Sequence, residues 1–360
     1  MNTLGTSFRI TSIGESHGKI VGVVIDGCPA GLELDMDKLQ KDLDRRRPGQ
    51  SKVSTTRNEA DRAEVLTGLY EGVTTGAPIT IIIRNQDRDS SKYLEARWTP
   101  RPGHADYTAG LRYGENQDPR GGGRFSGRNT AGFVMAGAVA KQVLDGIGTN
   151  IVAYTQQIGP VVAKDVDPAK VTESNMVRCP DEAAAEEMIR VIEEARSEGD
   201  SVGGKVKVIA LNPPRGIGQP IFDTLEGDIA KALYAIPAVK AVEFGAGILY
   251  AGLRGSEAND QYVIRDGKVV TETNNSGGVL GGISSGMPIE ATVTFKPTPS
   301  IGLEQKTVDL QEMEETTIKV EGRHDPCIVP RAVPVVEAMM AVVLVDHTLR
   351  AGVIPQVLGE

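Results

Sequence analysis

Cysteine is scarce in this chain. Its three cysteines, Cys28, Cys179 and Cys327, lie far apart and form no CxxC pair. A disulfide framework needs an even set of cysteines, and a structural zinc site needs closely spaced cysteines or histidines. The odd number and wide spacing therefore indicate a reduced, cytosolic protein, and nothing in the pattern predicts a metal site.

A surplus of basic residues is also lacking. Lys and Arg total 39 against 48 Asp and Glu, so the net charge is −9. This argues against general binding of nucleic acid or lipid surfaces, which need a basic face, although it allows a local basic pocket. The longest apolar stretch, VVEAMMAVVLV, is too short to span a bilayer and contains Glu337. The first fourteen residues do not resemble a signal peptide, and we expect a cytoplasmic protein.

Aromatic residues make up only 4% of the chain, whereas glycine is abundant at 42 residues. Such a composition is typical of many tight turns and close backbone approaches. With 360 residues, 40% of them hydrophobic, the chain can bury a sizeable core. Because neither a repeat nor a linker divides the sequence, we expect a single domain over residues 1–360.

Strand-like and helix-like segments follow one another irregularly. The helical pattern starts at Asp35 and stops at Pro48-Gly49, and it returns at 130–144, 181–197 and 332–347. Short β-branched runs predict strands at 19–27, 77–84, 202–211, 238–245 and 287–296. Since strands often follow strands without an intervening helix, the pattern indicates an α+β fold.

Histidine is rare, and three of the four histidines stand in loops dense with Gly, Arg or Pro. These are His17 in GESHGK, His104 in RPGHADY and His324 in GRHDPC. A loop histidine is available for proton transfer near neutral pH, although each alone would also fit an ordinary surface turn. Ser16 precedes His17 outside any GxSxG motif, so we favour a proton-relaying hydroxyl over a nucleophile.

The segment GGGRFSGRNTAG (121–132) is a glycine run that leads into a helix. Backbone N–H groups at such a junction, with Arg124 and Arg128, form a natural anion site. The segment lacks the GK[ST] of a P-loop and the GxGxxG order of a dinucleotide fold. A simple turn capped by Asn129 or Thr130 is the alternative.

Arginines gather around these loops in an otherwise acidic protein. Arginine suits bidentate capture of phosphate and carboxylate, although any one of them could simply pair with a surface carboxylate. The gathered residues are Arg45, Arg46, Arg47, Arg57, Arg101, Arg120, Arg124, Arg128, Arg323 and Arg331.

Three further loops have the composition of a ligand site. GGVLGGISSGMP (277–288) and KPTPSIG (296–302) flank a strand, and RHDPCIVPRAVP (323–334) places charged residues on a proline-stiffened segment. In the last loop, Asp325 could act on a proton or only pair with a neighbouring arginine. From the residues alone, a non-catalytic polyanion-binding module and an ordinary flavin oxidoreductase remain alternatives.

Seven segments in order resemble the chorismate synthase family, and they span residues 8 to 346. They are FRITSIGESHGK, DLDRRRPGQSKVSTTRNEAD, RPGHADYT, GGGRFSGRNTAGFVMAGAVAK, GGVLGGISSGMPI, KPTPSI and GRHDPCIVPRAVPVVEAMMAVVLVD. The resemblance implies a phosphate lyase that converts 5-enolpyruvylshikimate 3-phosphate to chorismate, a redox-neutral 1,4-trans elimination that needs reduced FMN. It also implies a β-α-β sandwich, in which antiparallel sheets enclose long helices, and a homotetramer.

The resemblance also implies roles for individual residues. His17 and His104 match the two catalytic histidines, one protonating the departing phosphate and the other keeping the flavin anionic. Ser16 and Asp325 match a pair that relays the substrate C6 proton through flavin N5. Arg46 and Lys52 match nicotinamide-nucleotide positions; with Arg47, Arg128 and Arg331 they also suit the substrate anions. The matching FMN contacts are Arg124, Phe125, Ser126, Pro237, Ala238, Gly281, Lys296, Pro297, Thr298, Pro299, Ser300 and Arg323.

The chain departs from the family pattern at four positions, Phe125, Gly127, Asn129 and Ala241. The usual GGGRSSARET reads GGGRFSGRNT here, so Phe125 lacks a hydroxyl and Asn129 replaces an acidic residue, and the usual VKGVE has Ala241. We expect a backbone contact to flavin at Phe125 in place of a side-chain contact. Because the chain carries no large insertion, we favour dependence on a separate flavin reductase over reduction of its own flavin by NADPH.

Overall fold

The computed structural model describes residues 1–47, 49, 60–86, 97–118, 120–164, 166–167, 173–320 and 325–359. Its helices, labelled in chain order, are α1 (Met36–Arg46), α2 (Asp106–Tyr113), α3 (Thr130–Asp145), α4 (Glu182–Ser197), α5 (Leu225–Tyr234), α6 (Gly255–Ala258) and α7 (Val329–Arg350).

Two five-stranded antiparallel sheets form the outer layers. The first has the strand order β1 (Thr3–Leu4), β2 (Arg9–Gly14), β3 (Ile20–Asp26), β7 (Ile79–Arg84) and β4 (Glu64–Thr67). The second has the order β11 (Val239–Phe244), β16 (Ile289–Phe295), β10 (Gly204–Leu211), β8 (Asn150–Ile158) and β9 (Val161–Val162). Four hairpins complete the described strands: β5–β6 (Leu69–Tyr70, Val73–Thr74), β12–β13 (Tyr262–Arg265, Lys268–Thr271), β14–β15 (Val279–Leu280, Ile283–Ser284) and β17–β18 (Glu304–Asp309, Glu314–Lys319).

Helices α3 and α7 pack against each other between the two sheets. Helix α3 contacts β3 of the first sheet, and α7 contacts β8 and β10 of the second. The two helices approach so closely that a Cβ added to Gly137 of α3 would overlap the Cα and Cβ atoms of Ala338 in α7. The small residues of α3 therefore permit the close approach of the two helices, and the predicted α+β sandwich is confirmed.

Polar side chains mark the starts of α1 and α4. The Asp35 carboxylate accepts the N–H groups of Asp37 and Lys38 at 2.9 and 3.0 Å, and Asp181 accepts the N–H of Ala184 at 3.0 Å. These caps satisfy amide donors that have no partner within the first helical turn. They explain why α1 and α4 begin where the sequence predicts.

The last helix is longer than the predicted 332–347. Helix α7 begins three residues earlier, because Pro330 in its first turn needs no N–H partner, and it continues to Arg350. Its 22 residues have the length and apolar character of a membrane span, yet its most apolar stretch is wholly buried inside the protein. This burial is typical of the core helix of a sandwich.

The sequence did not predict strand β8 or helix α5. Strand β8 carries Gln156 and Gln157 near its end, which interrupts the apolar alternation. Helix α5 contains Gly227, a poor helix former, in its first turn, where the Thr224 hydroxyl caps its N–H at 3.2 Å.

Candidate active site

His17 lies under the glycine run that follows α2. Its side chain is almost wholly buried. The three glycines of the run, Gly121–Gly123, have positive φ angles of 60°, 79° and 49°. A Cβ on Gly121 would overlap the Cδ2 and Nε2 atoms of His17, and the Ser16 N–H donates to the Gly123 carbonyl at 3.4 Å. Bare backbone therefore contacts the imidazole, which explains why glycine stands here.

We expect Gly121→Ala to lower turnover of the reaction that the resemblance implies by about 100-fold, because the new methyl group must displace the ring of His17, which matches a catalytic histidine of the family. Gly122→Ala is the matched control. Gly122 has the same left-handed backbone, but the nearest atom to its added Cβ is Ser126 Cβ at 3.9 Å. Both variants carry the same backbone strain, of about 1–2 kcal/mol. Steady-state kinetics and melting temperatures compare them, and equal losses of turnover would contradict the contact with His17.

Asn129 organises the carbonyl side of this loop. Its amide nitrogen donates toward the carbonyls of Gly123, Arg124 and Ser126 at 3.1, 3.0 and 3.3 Å. An ionised acidic side chain offers acceptors only and could not make these contacts. The departure at Asn129 therefore has a structural role in this chain.

The three predicted flavin contacts in this loop have different surroundings. The Arg124 guanidinium donates to the carbonyls of Gly14 and Ser12 on β2 at 2.8 and 3.2 Å, so its side chain ties the loop to the first sheet. The Ser126 hydroxyl accepts the N–H of Arg128 at 3.2 Å. Phe125 is 46% exposed, and its ring lies 6.3 Å from that of Tyr113.

Arg46 and Arg128 converge on a carboxylate that the sequence analysis missed. The Asp61 oxygens lie 3.5 Å from Arg46 Nη1 and 2.5 Å from Arg128 Nη1. Arg46 also donates to the Gly127 carbonyl at 2.7 Å, and Arg128 Nε donates to the Asn85 side chain at 3.2 Å. Asp61 ends the quoted segment DLDRRRPGQSKVSTTRNEAD but was given no role there, and Asn85 lies outside all seven segments, so their partners are apparent only from the fold.

The start of α7 meets the end of α1. Arg331 pairs with Asp325 and donates from Nε to the Arg46 carbonyl at 3.3 Å. Arg47 lies near the surface, 4.0 Å from Asp44. The candidates Lys52 and Arg323, with Arg57 and His324, lie outside the described residues.

His104 belongs to a second group of loops. Its Nε2 atom and the Ser300 hydroxyl are 2.8 Å apart, and Lys296 Nζ donates to the Gly103 carbonyl at 2.6 Å. The Lys296 N–H donates to the carbonyl of Ala238, which follows Pro237 and has a φ of 71°. Partial burial lowers the pKa of Lys296, and Lys240 adds to this effect.

An ion pair beside His104, between Arg101 and Asp106, was also not predicted from the sequence. Asp106 accepts from Arg101 Nε at 2.8 Å and Arg101 Nη2 at 2.9 Å. Burial is the largest influence on the Asp106 pKa and raises it, but the Arg101 hydrogen bonds and charge outweigh it, so the pKa falls below its usual value. The ionised pair closes the RPGHAD turn around His104.

Two consecutive residues, Ser201 and Val202, join the loops around His104 to the segment that contains Asp325. The Ser201 hydroxyl donates to the Thr298 carbonyl at 2.7 Å, and the Val202 N–H donates to the Pro326 carbonyl at 2.9 Å. Thr298 belongs to the Lys296–Ser300 loop beside His104, and Pro326 follows Asp325. Loops that are far apart in the sequence are therefore neighbours in the fold.

Gly281 lies in the β14–β15 turn and has an open environment. Its φ is 60°, and an added Cβ would meet none of the described residues within 4 Å. Pro297 and Pro299 continue the Lys296–Ser300 loop, and a Cβ on Gly103 would lie 2.8 Å from Pro299 Cβ. Glycine at 103 therefore allows the two loops to touch.

Comparison with known proteins identifies the family. A family model for chorismate synthase matches residues 8–349. A chorismate synthase from Dehalococcoides mccartyi is 52% identical over 362 residues and covers 100% of both chains. One from Methanothermobacter thermautotrophicus is 54% identical over 364 residues, covering 100% of this chain and 97% of the relative. A chorismate synthase crystal structure superposes with a TM-score of 0.77 at 31% identity, covering 96% of this chain and 93% of its own. The chain therefore belongs to the chorismate synthase family.

Proposed function

We propose that the loops around His17, His104 and Asp325 form the site of the family reaction. That reaction is a lyase step of the shikimate pathway: phosphate leaves 5-enolpyruvylshikimate 3-phosphate by 1,4-trans elimination and chorismate forms, without net redox change. The observation that carries the assignment is that hydrogen bonds join these segments. Ser201 and Val202 contact the Lys296–Ser300 loop and the Asp325 segment, and Arg46, whose carbonyl accepts from Arg331, donates to Gly127 after the glycine run over His17.

Reduced FMN is the proposed cofactor, and the loop chemistry fits it. The open side of Gly281 leaves room for a planar ring, and the contact proposed at Phe125 is made by its backbone. The ammonium group of Lys296 suits an anionic flavin or its phosphate. When bound, reduced FMN would supply reversible electron donation to the substrate. The proposed holding residues are Arg124, Phe125, Ser126, Pro237, Ala238, Gly281, Lys296, Pro297, Thr298, Pro299, Ser300 and Arg323.

The chain's own residues would bind the substrate and move protons. The substrate carries a phosphate and two carboxylates, which call for several cations, and Arg46, Arg47, Lys52, Arg128 and Arg331 are the candidates. Arg46 and Lys52 are alternatively nicotinamide-nucleotide contacts.

His17 and His104 divide two tasks, protonating the departing phosphate and keeping the flavin anionic. Ser300 would orient the His104 ring through its 2.8 Å hydrogen bond. Ser16 and Asp325 would carry the C6 proton away.

Further properties of this chain remain proposals. A core of buried side chains shared by the two sheets and the helices between them supports one domain over residues 1–360. Exposed apolar side chains, such as Phe222, Ile248 and Leu249, would suit the subunit contacts of a homotetramer. We also propose a cytoplasmic location and a separate flavin reductase as the source of reduced flavin.

An anaerobic assay tests the function. The protein, chemically reduced FMN and 5-enolpyruvylshikimate 3-phosphate are mixed, and phosphate, chorismate and reduced flavin are measured together. We expect many turnovers of phosphate and chorismate with no net consumption of reductant. An ordinary flavin oxidoreductase would consume reductant in proportion to product, and a passive polyanion binder would release no phosphate.

A further inference from the structure

The ends of two helices meet beside the proposed substrate cations. Arg46 is the last residue of α1, and Arg331 lies in the first turn of α7. Carbonyl groups in the last turn of a helix accept no hydrogen bond from within the helix, so they need N–H or other donors from elsewhere. At the end of α1, side chains of other elements supply these donors, because Arg331 Nε donates to the Arg46 carbonyl at 3.3 Å.

Arg178 bridges the two helices from outside. Its Nη2 atom donates to the Arg45 carbonyl in α1 at 2.7 Å, and its Nη1 atom donates to the Pro330 carbonyl in α7. The acceptors are the residues immediately before Arg46 and Arg331. One planar guanidinium therefore sets the spacing between the backbone segments that carry two proposed substrate cations.

The bridge itself is held rigidly. Arg178 is 9% exposed and has a φ of 54°, and its carbonyl accepts the N–H of Thr155 on β8 at 2.9 Å. Its Nε atom lies 3.1 Å from the Glu173 carboxylate, which also accepts from Arg45 Nε at 2.8 Å. Each edge of the guanidinium thus has an acceptor, and the second sheet anchors the residue.

We propose that Arg178 is a positioning residue for the substrate-binding arginines, an inference that rests on the function proposed above. Arg178 acts through the backbone at Arg45 and Pro330, so its loss changes the separation of Arg46 and Arg331. The hydrogen bonds that join His104 to Ser300 and Lys296 to Gly103 involve other segments and stay intact. The effect should therefore fall mainly on substrate binding, while the Lys296–Ser300 loop keeps its contacts.

The test is Arg178→Lys, which keeps the positive charge but cannot bridge both carbonyls with a planar fork. We expect KM for the phosphorylated substrate to rise by about 10-fold with kcat nearly unchanged, because binding is weakened equally in the ground and transition states. Calorimetry without flavin should give the same loss of substrate affinity. FMN affinity, measured by fluorescence quenching, should stay at the wild-type value.

Arg350→Lys is the matched control, because Arg350 is a mostly buried arginine at the far end of α7. It pairs with Asp223 at 2.7 Å and Asp228 at 3.6 Å, about 28 Å along the helix from Arg331. We expect this control to keep wild-type KM. If Arg178→Lys does not fold, Glu173→Gln is the second variant; it loosens the bridge and should raise KM by about 3-fold.

Unchanged substrate affinity in a folded variant of the bridge would overturn the inference, and so would an equal loss of FMN affinity or an equal effect of Arg350→Lys. A wild-type protein that releases no phosphate would instead refute the proposed function. The two failures are therefore distinguishable.

Discussion

Replacing His104 with alanine is expected to lower turnover by about 100-fold or more, the usual contribution of a positioned proton donor or acceptor. His104 is held by the 2.8 Å hydrogen bond to Ser300, next to the Lys296 ammonium group. We expect His17→Ala to cause a loss of similar size, since the glycine loop holds that ring equally closely. Single-turnover and steady-state phosphate release under anaerobic conditions measure both losses.

Ser300→Ala is the control for the His104 variant. It removes the hydrogen bond that orients the ring but leaves the imidazole, so we expect a loss of only about 10-fold. Circular dichroism and FMN affinity establish that each variant is folded and binds cofactor. Added imidazole should partly restore His104→Ala but not Ser300→Ala. Full turnover in both His17→Ala and His104→Ala would refute their proton-transfer roles.

The second large effect is expected on stability, from Arg45→Met. Arg45 makes two hydrogen bonds to Glu337, at 2.6 and 2.8 Å, inside the contact between α1 and α7. Burial raises the pKa of Glu337, but Arg45 and then Lys141 outweigh it and hold the pKa below its usual value. Removing Arg45 leaves the buried carboxylate only the Lys141 ammonium group at 3.4 Å and the Ala153 N–H at 3.2 Å, which should cost about 3 kcal/mol of unfolding free energy. Denaturant unfolding measures this loss.

Arg84→Met is the matched control at the surface. Arg84 forms a similar pair with Glu64 at 2.8 Å, but both side chains are exposed, so we expect a change below about 1 kcal/mol. The double variant Arg45→Met, Glu337→Leu should recover much of the stability, since it leaves no unpaired carboxylate. Equal losses in Arg45→Met and Arg84→Met would contradict the importance of burial.

The same pair predicts a pH dependence. The pKa of Glu337 is lower in the folded protein than in the unfolded chain, so its stabilising contribution is complete above the unfolded value and is lost as pH falls through the folded value. The wild type should therefore lose stability below about pH 4.5 more steeply than the double variant. Parallel acid-unfolding curves would show that the pair contributes nothing in this range.

Much of the architecture was readable before the fold was known. Capping by Asp35 and Asp181, and the β-branched runs of β3 and β7, act over a few residues, so local rules predict them. Strand β8 and helix α5 were not predicted, because Gln156 and Gln157 interrupt the apolar alternation of the strand and Gly227 is a poor helix former. Their places are decided by the neighbours on which they pack.

Some residues of the candidate site could likewise be predicted from the sequence, and others could not. The histidine, glycine and arginine motifs are visible in the sequence because unusual residue types stand together there. Asp61, Asn85, Asp106 and Arg178 are ordinary by type and acquire their roles only from the partners that the fold brings to them. Arg124 is a related case, since the motif marks it as a cofactor contact and the structure ties its guanidinium to β2.

By itself, the sequence determined the family resemblance, the α+β class and the loops proposed to carry the chemistry, because residue type, spacing and capping are local properties. The tertiary structure alone decided which loops are neighbours, which arginines share the Asp61 carboxylate, and how Arg178 joins two helix ends. These depend on contacts between residues as much as 285 positions apart, as between Arg46 and Arg331. Such contacts arise from packing two sheets around α3 and α7, and no local pattern encodes them.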